Sequence, residues 1–148
     1  MVIVENIIFR EFGAELIDEV VDIYEDNSWS AYTKDTKKLK RALDNSIYIL
    51  GAFYKENLIG FVRCVGDGEH IIFIQDLILK PSYFRFGIGK RLYQLVSERF
   101  EDVRTLLLIT DSSDQRANNF YKSLGLKSDM DGYPINTYFR QSNKEIWW

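Results

Sequence analysis

The sequence has very few of the residues that build cross-links and metal sites. Its 148 residues include one cysteine, one histidine and two prolines. A single cysteine excludes a disulfide within the chain, and one cysteine with one histidine argues against a Cys/His metal site. No apolar stretch approaches the roughly 20 residues of a membrane-spanning helix. We therefore expect no metal, no membrane partner and a reducing, cytoplasmic setting.

The sequence also lacks an excess of positive charge. It has 19 Lys and Arg against 22 Asp and Glu, a net charge of −3. Proteins that bind nucleic acid through bulk charge carry the opposite balance, so we expect no nucleic-acid partner. Hydrophobic residues make up 46% and aromatic residues 15% of the chain. This content suits the core of one domain, which we expect to span residues 1–148, and it favours an aromatic-lined cleft.

The apolar pattern predicts strands and helices in the order β-α-α-β-β-β-α-β-α-β. Apolar residues recur at helical spacing over residues 14–26 and 88–100, which predicts two helices. The segments VIVENIIFR near the start and PINTYFR near the end are typical of strands. HIIFIQDLILK is apolar on both faces, with Ile72, Ile74 and Ile78 expected on one side, which predicts a central strand. Such an order gives an α/β fold of the α+β type, a mixed sheet with helices on both faces.

The stretch PSYFRFGIGKRL joins that central strand to a helix and raises an electrostatic question. Arg85, Lys90 and Arg91 crowd a helix start, where the helix dipole repels cations. A bound phosphate would account for them, since glycines let an anion approach the free N–H groups there. The alternative is a glycine-softened helix start with solvated basic residues. The stretch matches neither a Walker loop nor the Rossmann fingerprint.

Two motifs together resemble the GNAT superfamily of acyl-CoA-dependent N-acyltransferases. Phe84-Arg85-Phe86-Gly87-Ile88-Gly89 is similar to the family signature Gln/Arg-x-x-Gly-x-Gly/Ala, and DQRANNFYKSLGL is similar to Asn-x-x-Ala-x-x-Phe-Tyr-x-x-x-Gly-Phe. The resemblance covers nearly the whole chain. It implies a mostly antiparallel sheet, splayed at its centre to hold CoA. It also implies transfer of an acetyl group from acetyl-CoA to a primary amine by direct attack in a ternary complex.

The resemblance assigns the residues that hold acetyl-CoA, the expected co-substrate. Backbone N–H groups of residues 85–90 would cradle the pyrophosphate, and backbone groups of two strand residues would bond the pantetheine arm. Asp114 replaces the family's Asn, and its alternative role is to cap the helix that follows. Phe84 replaces Gln or Arg. The implied cofactor-binding residues are Ile78, Leu79, Arg85, Phe86, Gly87, Ile88, Gly89, Lys90, Asp114 and Tyr121.

Amine attack on a thioester needs a neutral amine, a polarised carbonyl and a proton for the leaving thiolate. Tyr121 matches the family's tyrosine and is the predicted acid, although its helix face also suits a core residue. Asp76, an acid within an otherwise apolar strand, is the predicted base. The alternatives are Glu69, His70 or a water molecule. Asp76 also suits a structural role as the buried partner of Arg63.

Four aromatic residues are candidates for lining the acceptor site: Trp29, Tyr32, Tyr133 and Tyr138. Aromatic lining suits an arylalkylamine or another partly apolar amine, and other small-molecule or peptide amines stay open. We expect the terminal IWW to pack either on its own domain or across a homodimer. Phe84 and Asp114 favour an alternative function, a non-catalytic acyl-CoA sensor of the same fold, and a protein-binding domain with a vestigial cleft is a third.

Overall fold

Residues 1–142 are described by a computed structural model, in which five strands form one sheet. The strands are β1 (Ile8–Glu11), β2 (Tyr48–Tyr54), β3 (Asn57–Gly66), β4 (Ile71–Leu79) and β5 (Thr105–Leu107). The helices are α1 (Ile17–Asp26), α2 (Thr36–Asp44), α3 (Ile88–Arg99) and α4 (Gln115–Ser123). None of these helices is long and apolar enough to cross a membrane.

The sheet is mixed and mostly antiparallel, which confirms the predicted fold class. Its strands follow the chain order β1-β2-β3-β4-β5, and only the β4–β5 pair is parallel. That pair runs from Ile71 opposite Thr105 to Phe73 opposite Leu107. Beyond Phe73, no strand of the described residues continues along this edge of β4. The second half of β4 therefore has an open edge, as the splayed centre requires.

Apolar side chains from the two faces of the sheet form two cores. On one face α3 buries Ile88, Leu92 and Val96 against the strands. On the other, α1 and α2 supply the buried residues Val20, Ile23, Tyr24, Leu39 and Leu43. All of these positions follow helical spacing, because each helix buries the stripe that faces the sheet.

A bulge in β4 moves its side chains from one core to the other. Arg63 lies opposite Asp76, but the next residue of β3, Cys64, lies opposite Ile74, so Gln75 is an extra residue. Ile72 and Ile74 consequently pack with α3, whereas Ile78 packs with α1 and α2. The prediction that Ile72, Ile74 and Ile78 share one face is wrong, because strict alternation cannot anticipate the bulge.

The chain divides into two compact units, Met1–Leu108 and a second that begins at Ile109. The first unit contains the sheet and α1 to α3, and the second contains α4. The first strand is shorter than predicted, since Val4–Asn6 form a 3-10 turn before β1. The predicted strand over residues 134–140 is wrong, because these residues are exposed and form no regular structure. The terminal IWW lies outside the described residues.

Candidate active site

The loop between β4 and α3 presents a row of unpaired backbone N–H groups. Phe84 donates its N–H to the Pro81 carbonyl oxygen at 3.1 Å, and Arg91 donates to that of Gly87 at 3.1 Å. Between them, within the described part of the chain, the N–H groups of residues 85–90 have no acceptor. Free N–H groups at a helix start carry partial positive charge, so this loop is suited to bind an anion.

Two left-handed residues shape this loop. Gly87, at the N-cap of α3, has φ 78°, and Arg85 has φ 71°. The space beside Gly87 is open, since a Cβ built on it would meet no atom within 4 Å. Arginine adopts this conformation at a cost of about 1–2 kcal/mol. Such alternation turns successive N–H groups toward one concave surface, the geometry of backbone anion sites.

Positive charge around the loop is left unneutralised. Arg85 and Lys90 are exposed and make no ion pair with any described residue. Arg91 is farther along α3, and its Nη1 lies 3.7 Å from Oε1 of Glu98. The loop thus combines free N–H groups with two unpaired cations, and these residues fit the pyrophosphate of CoA.

The open edge of β4 offers backbone groups for an extended ligand. Lys80 donates its N–H to the Ile59 carbonyl oxygen at 2.8 Å. Because backbone groups alternate along an antiparallel ladder, those of Leu79 and Leu77 point away from β3, and those of Ile78 point toward it. Asn27 Nδ2 donates to the Leu79 carbonyl oxygen at 2.8 Å. The N–H group of Leu79 thus remains for the predicted contact with pantetheine. The direction of the backbone groups favours Leu77 for the second contact, and the contact predicted for Ile78 stays a prediction.

Asp76 lies in a buried polar cluster with Tyr24 and Arg63, which we call the Asp76 cluster. Its Oδ2 accepts hydrogen bonds from Tyr24 Oη at 2.6 Å and from Arg63 Nε at 2.7 Å. The side chains of Arg63 and Asp76 are only 6% and 0% exposed. The alternative role of Asp76, as the buried partner of Arg63, is thus confirmed. Its other oxygen, Oδ1, is buried without a hydrogen-bond partner among the described residues.

Both donors of the Asp76 cluster hold their protons firmly. Burial raises the pKa of Tyr24 above its usual range, and the negative charge of Asp76 raises it further. Burial lowers the pKa of Arg63, but the adjacent Asp76 charge outweighs this effect, so that the pKa is raised. At neutral pH both groups therefore remain donors, and Oδ2 stays engaged.

The Tyr24 ring of this cluster packs with two further rings, and the three form what we call the aromatic stack (Trp29, Tyr24, Tyr32). The Tyr24 and Tyr32 rings are stacked at 4.7 Å, and Trp29 lies 6.1 Å from each. Gln75 Nε2 donates to Tyr32 Oη at 3.0 Å. Trp29, Tyr32 and Asp76, predicted separately, are therefore brought together. Tyr24 was missed as a site residue, although a buried phenol usually signals a hydrogen-bond partner.

The alternative bases lie at the surface. Glu69 and His70 are in the turn before β4, and the His70 side chain is 81% exposed. The Asp67 carboxylate accepts both of their backbone N–H groups, which fixes the turn. Within residues 1–142, no group of three His, Cys, Asp or Glu side chains could hold a metal ion.

The second unit contains the remaining predicted residues. Asp114 Oδ1 accepts the Ala117 N–H at 2.9 Å, which confirms its role as the cap of α4. Tyr121 lies on α4, half-buried, with its ring edge-on to Phe120 at 5.1 Å. Tyr133 and Tyr138 are 51% and 89% exposed. The roles of Tyr121, Tyr133 and Tyr138, and contact of Asp114 with CoA, stay predictions.

Comparison with known proteins decides the family. A model of the acetyltransferase (GNAT) family matches residues 10–126. The chain belongs to the GNAT acetyltransferase family. It is 38% identical over 102 residues to an uncharacterized N-acetyltransferase ycf52 of Gracilaria tenuistipitata var. liui, covering 65% of this chain and 54% of the relative. It is 31% identical over 115 residues to GCN5-related N-acetyltransferase 1, chloroplastic, of Arabidopsis thaliana, covering 76% and 58%. The chain thus spans little more than half the length of these relatives.

Solved GNAT structures share the fold. A GNAT-family acetyltransferase from Streptococcus pneumoniae TIGR4 superposes with a TM-score of 0.79 at 27% identity, covering 93% of this chain and 98% of that chain. The PaiA N-acetyltransferase from Thermoplasma acidophilum, in complex with coenzyme A, has a TM-score of 0.69 at 22% identity, covering 82% and 89%. These likenesses agree with the mixed, mostly antiparallel sheet described above.

Proposed function

We propose that the protein transfers an acetyl group from acetyl-CoA to a primary amine, in a cytoplasmic setting, by direct attack in a ternary complex. Membership of the GNAT acetyltransferase family supports this proposal. The observation that carries it is the loop of residues 85–90, with free N–H groups and unpaired cations at the start of α3. This loop follows directly on the open edge of β4.

The loop of residues 85–90 and the open edge of β4 would bind different parts of CoA. Residues 85–90 would hold the pyrophosphate through backbone N–H groups, with Arg85 and Lys90 adding charge. Leu77 and Leu79 would bond the amide groups of the pantetheine arm, which lies along β4 like an added strand. The cradle is built from backbone, so it does not require the Gln or Arg side chain that Phe84 replaces.

In the reaction, the amine nitrogen bonds to the thioester carbonyl carbon, the C–S bond breaks, and the amine proton is lost. An N–H group on the open edge of β4 would stabilise the charge that develops on the carbonyl oxygen. Tyr121 is the proposed donor of a proton to the thiolate, since a phenol with a pKa of about 10 can do so. Asp76, Glu69 or water takes the proton from the amine.

The acyl-CoA sensor is the second candidate function. It is favoured by the two departures from the family motifs, Phe84 and Asp114. A sensor would bind CoA through the same loop but transfer no acetyl group.

Calorimetric titration with CoA and a thiol-release assay with acetyl-CoA and a panel of primary amines test the proposal. Binding at sub-millimolar concentration with thiol release supports the transferase. Tight binding without release for any amine supports the sensor, and absence of binding overturns both. Tyr121→Phe should lower turnover and leave CoA affinity unchanged. Tyr93→Phe, on α3, is the matched control and should keep full turnover.

A further inference from the structure

We propose that the free edge of β1 binds an extended segment of a partner protein, which adds to the sheet as an antiparallel strand and places an acidic side chain opposite Arg10. β1 is the first strand in the order of the sheet, and β2 and β3 separate it from β4. The inference therefore concerns a different surface from the candidate active site and does not rest on the proposed function.

The first argument is the unpaired backbone of β1. Among residues 1–142, β1 pairs only with β2, so no strand lies along its other edge. Phe12 continues the register of this pair and donates its N–H to the Ile49 carbonyl oxygen at 3.2 Å. Because backbone groups alternate along an antiparallel ladder, those of Phe9 and Glu11 point away from β2. Each of these two residues thus offers an N–H and a carbonyl group to an added strand.

The second argument is a groove of about 680 Å³ beside this edge. It is lined by Asn6, Ile8, Arg10, Phe53, Lys55 and Glu56. Ile8 lies directly opposite Phe53, which belongs to the core of α1 and α2, so both side chains are on that face of the sheet. The helices leave Ile8 62% exposed. An exposed apolar side chain on an unpaired edge strand is suited to contact with another chain.

The third argument is the charge along the groove. The Cζ atom of Arg10 lies 3.8 Å from the centre of the Phe53 ring, and neither Arg10 nor Lys55 makes an ion pair with a described residue. Glu56 is the single acid among the lining residues, so their net charge is positive. A carboxylate is the complementary group, and the planar guanidinium of arginine binds it with good geometry.

The register of β1 sets the order of side chains in the partner. Directly opposite residues of two strands share a face, so the partner needs an acid opposite Arg10 and a base opposite Glu11, which is also exposed. Arg10 would form a non-hydrogen-bonded pair, in which side chains are closest. Apolar side chains fit opposite Phe9 and Ile8. Along a partner antiparallel to β1, the expected pattern is therefore basic-acidic-apolar-apolar.

Two peptides of identical composition test this pattern on the whole protein. Thr-Lys-Glu-Val-Val-Thr has the expected order of charges, and Thr-Glu-Lys-Val-Val-Thr exchanges them, so that like charges meet at Arg10 and Glu11. Both peptides are blocked at their ends and labelled, and fluorescence anisotropy measures their affinity. We expect the first to bind about fivefold more tightly. Equal affinity for the two peptides, or no binding of either at millimolar concentration, would overturn the proposal.

Arg10→Gln tests the charge, since it keeps a long polar side chain and removes the cation. We expect the preference between the peptides to fall from about fivefold to about twofold, which is the share of Glu11. Arg99→Gln is the matched control, because Arg99 on α3 is also exposed and its Cζ lies 5.2 Å from the centre of the Tyr48 ring. A preference that is the same in Arg10→Gln and Arg99→Gln would contradict the charge argument.

Glu11→Pro tests strand addition itself. The Glu11 N–H points away from β2, so proline removes a donor of the free edge without breaking a hydrogen bond of the sheet. We expect the first peptide to bind at least about tenfold more weakly than to Glu11→Gln, which removes only the charge. The same peptide N-methylated at its lysine, opposite Glu11, should lose as much affinity and needs no protein variant. Undiminished binding of the methylated peptide would show that no ladder forms.

A second copy of the chain is the other candidate occupant of this edge. Sedimentation velocity of the protein alone measures its self-association. A protein that stays monomeric and binds the first peptide supports the assignment to a partner. Self-association that Glu11→Pro abolishes would show that another copy covers β1, and would overturn that assignment. None of these measurements uses acetyl-CoA, so their outcome is independent of the proposed transferase.

Discussion

A substitution at Gly87 can test whether the loop of residues 85–90, which we call the anion-binding loop, binds CoA, and it leaves the packing of the protein undisturbed. It has φ 78° and open space where a Cβ would lie, so alanine meets no clash there. Gly87→Ala therefore costs only the left-handed conformation, about 1 kcal/mol. For a chain of this size, that lowers Tm by about 3 °C. The new methyl group would occupy space beside the free N–H groups, and we expect CoA to bind about tenfold more weakly or worse, about 1.4 kcal/mol.

A second glycine provides the matched control. Gly132 has φ 81° and equally open surroundings, but it ends a short turn in the second unit. Gly132→Ala should show the same loss of Tm as Gly87→Ala and keep wild-type CoA affinity. Differential scanning fluorimetry measures the first quantity and calorimetric titration the second. If both variants bind CoA as tightly as the wild type, the loop is not the pyrophosphate site and the reasoning fails.

Two other predictions concern charge and pH. Arg85→Gly replaces an arginine in the left-handed conformation (φ 71°), so we expect the free energy of unfolding to stay unchanged or to rise by up to about 1 kcal/mol. Because the substitution also removes a positive charge, we expect CoA to bind more weakly and with a smaller dependence on salt concentration. Arg85→Lys should retain the salt dependence, and a salt dependence that survives Arg85→Gly would contradict the charge argument. Burial raises the pKa of the Cys64 thiol from 9.0 to about 12 in the folded protein. The thiol therefore ionises in the unfolded chain at a lower pH than in the folded protein. Stability that is fully present below pH 9.0 is lost as the pH rises toward 12. The expected slope is about 1.4 kcal/mol per pH unit from this group, measurable by urea unfolding, and a slope unchanged in Cys64→Ala would show that the thiol does not contribute.

Helices were the part of the fold that sequence reasoning located best. Amphipathic spacing reflects burial on one side, and α1 and α3 lie within residues 14–26 and 88–100, where that spacing predicted helices. Strands were less certain, because a strand depends on partners that the local sequence does not show. PINTYFR has the alternation of a strand, yet residues 134–140 form none. The bulge at Gln75 is similarly invisible in the apolar pattern of β4.

The site was predicted in pieces that only the fold joins. Two glycines after a proline indicated the anion-binding loop, and the aromatic content indicated Trp29 and Tyr32. No spacing rule could show that a segment between two helices would lie against Asp76 on a central strand. Tyr24 was assigned to the core because its helix face is apolar. Tyr24 and Asp76 were both expected to be buried, and a buried phenol and a buried acid each need a hydrogen-bond partner. This shared need was the signal that would have paired the two residues.

The single extra residue at Gln75 has a consequence for which side chains of β4 face each core. Upstream of it, β4 contributes to the layer that supports α3, and downstream it contributes Asp76 and Ile78 to the layer of α1 and α2. Leu77 and Leu79, by contrast, pack with the core of α3. The extra residue therefore exchanges the two cores between alternate positions of the strand. Without it, strict alternation would place Asp76 on the face of α3 and not beside Tyr24.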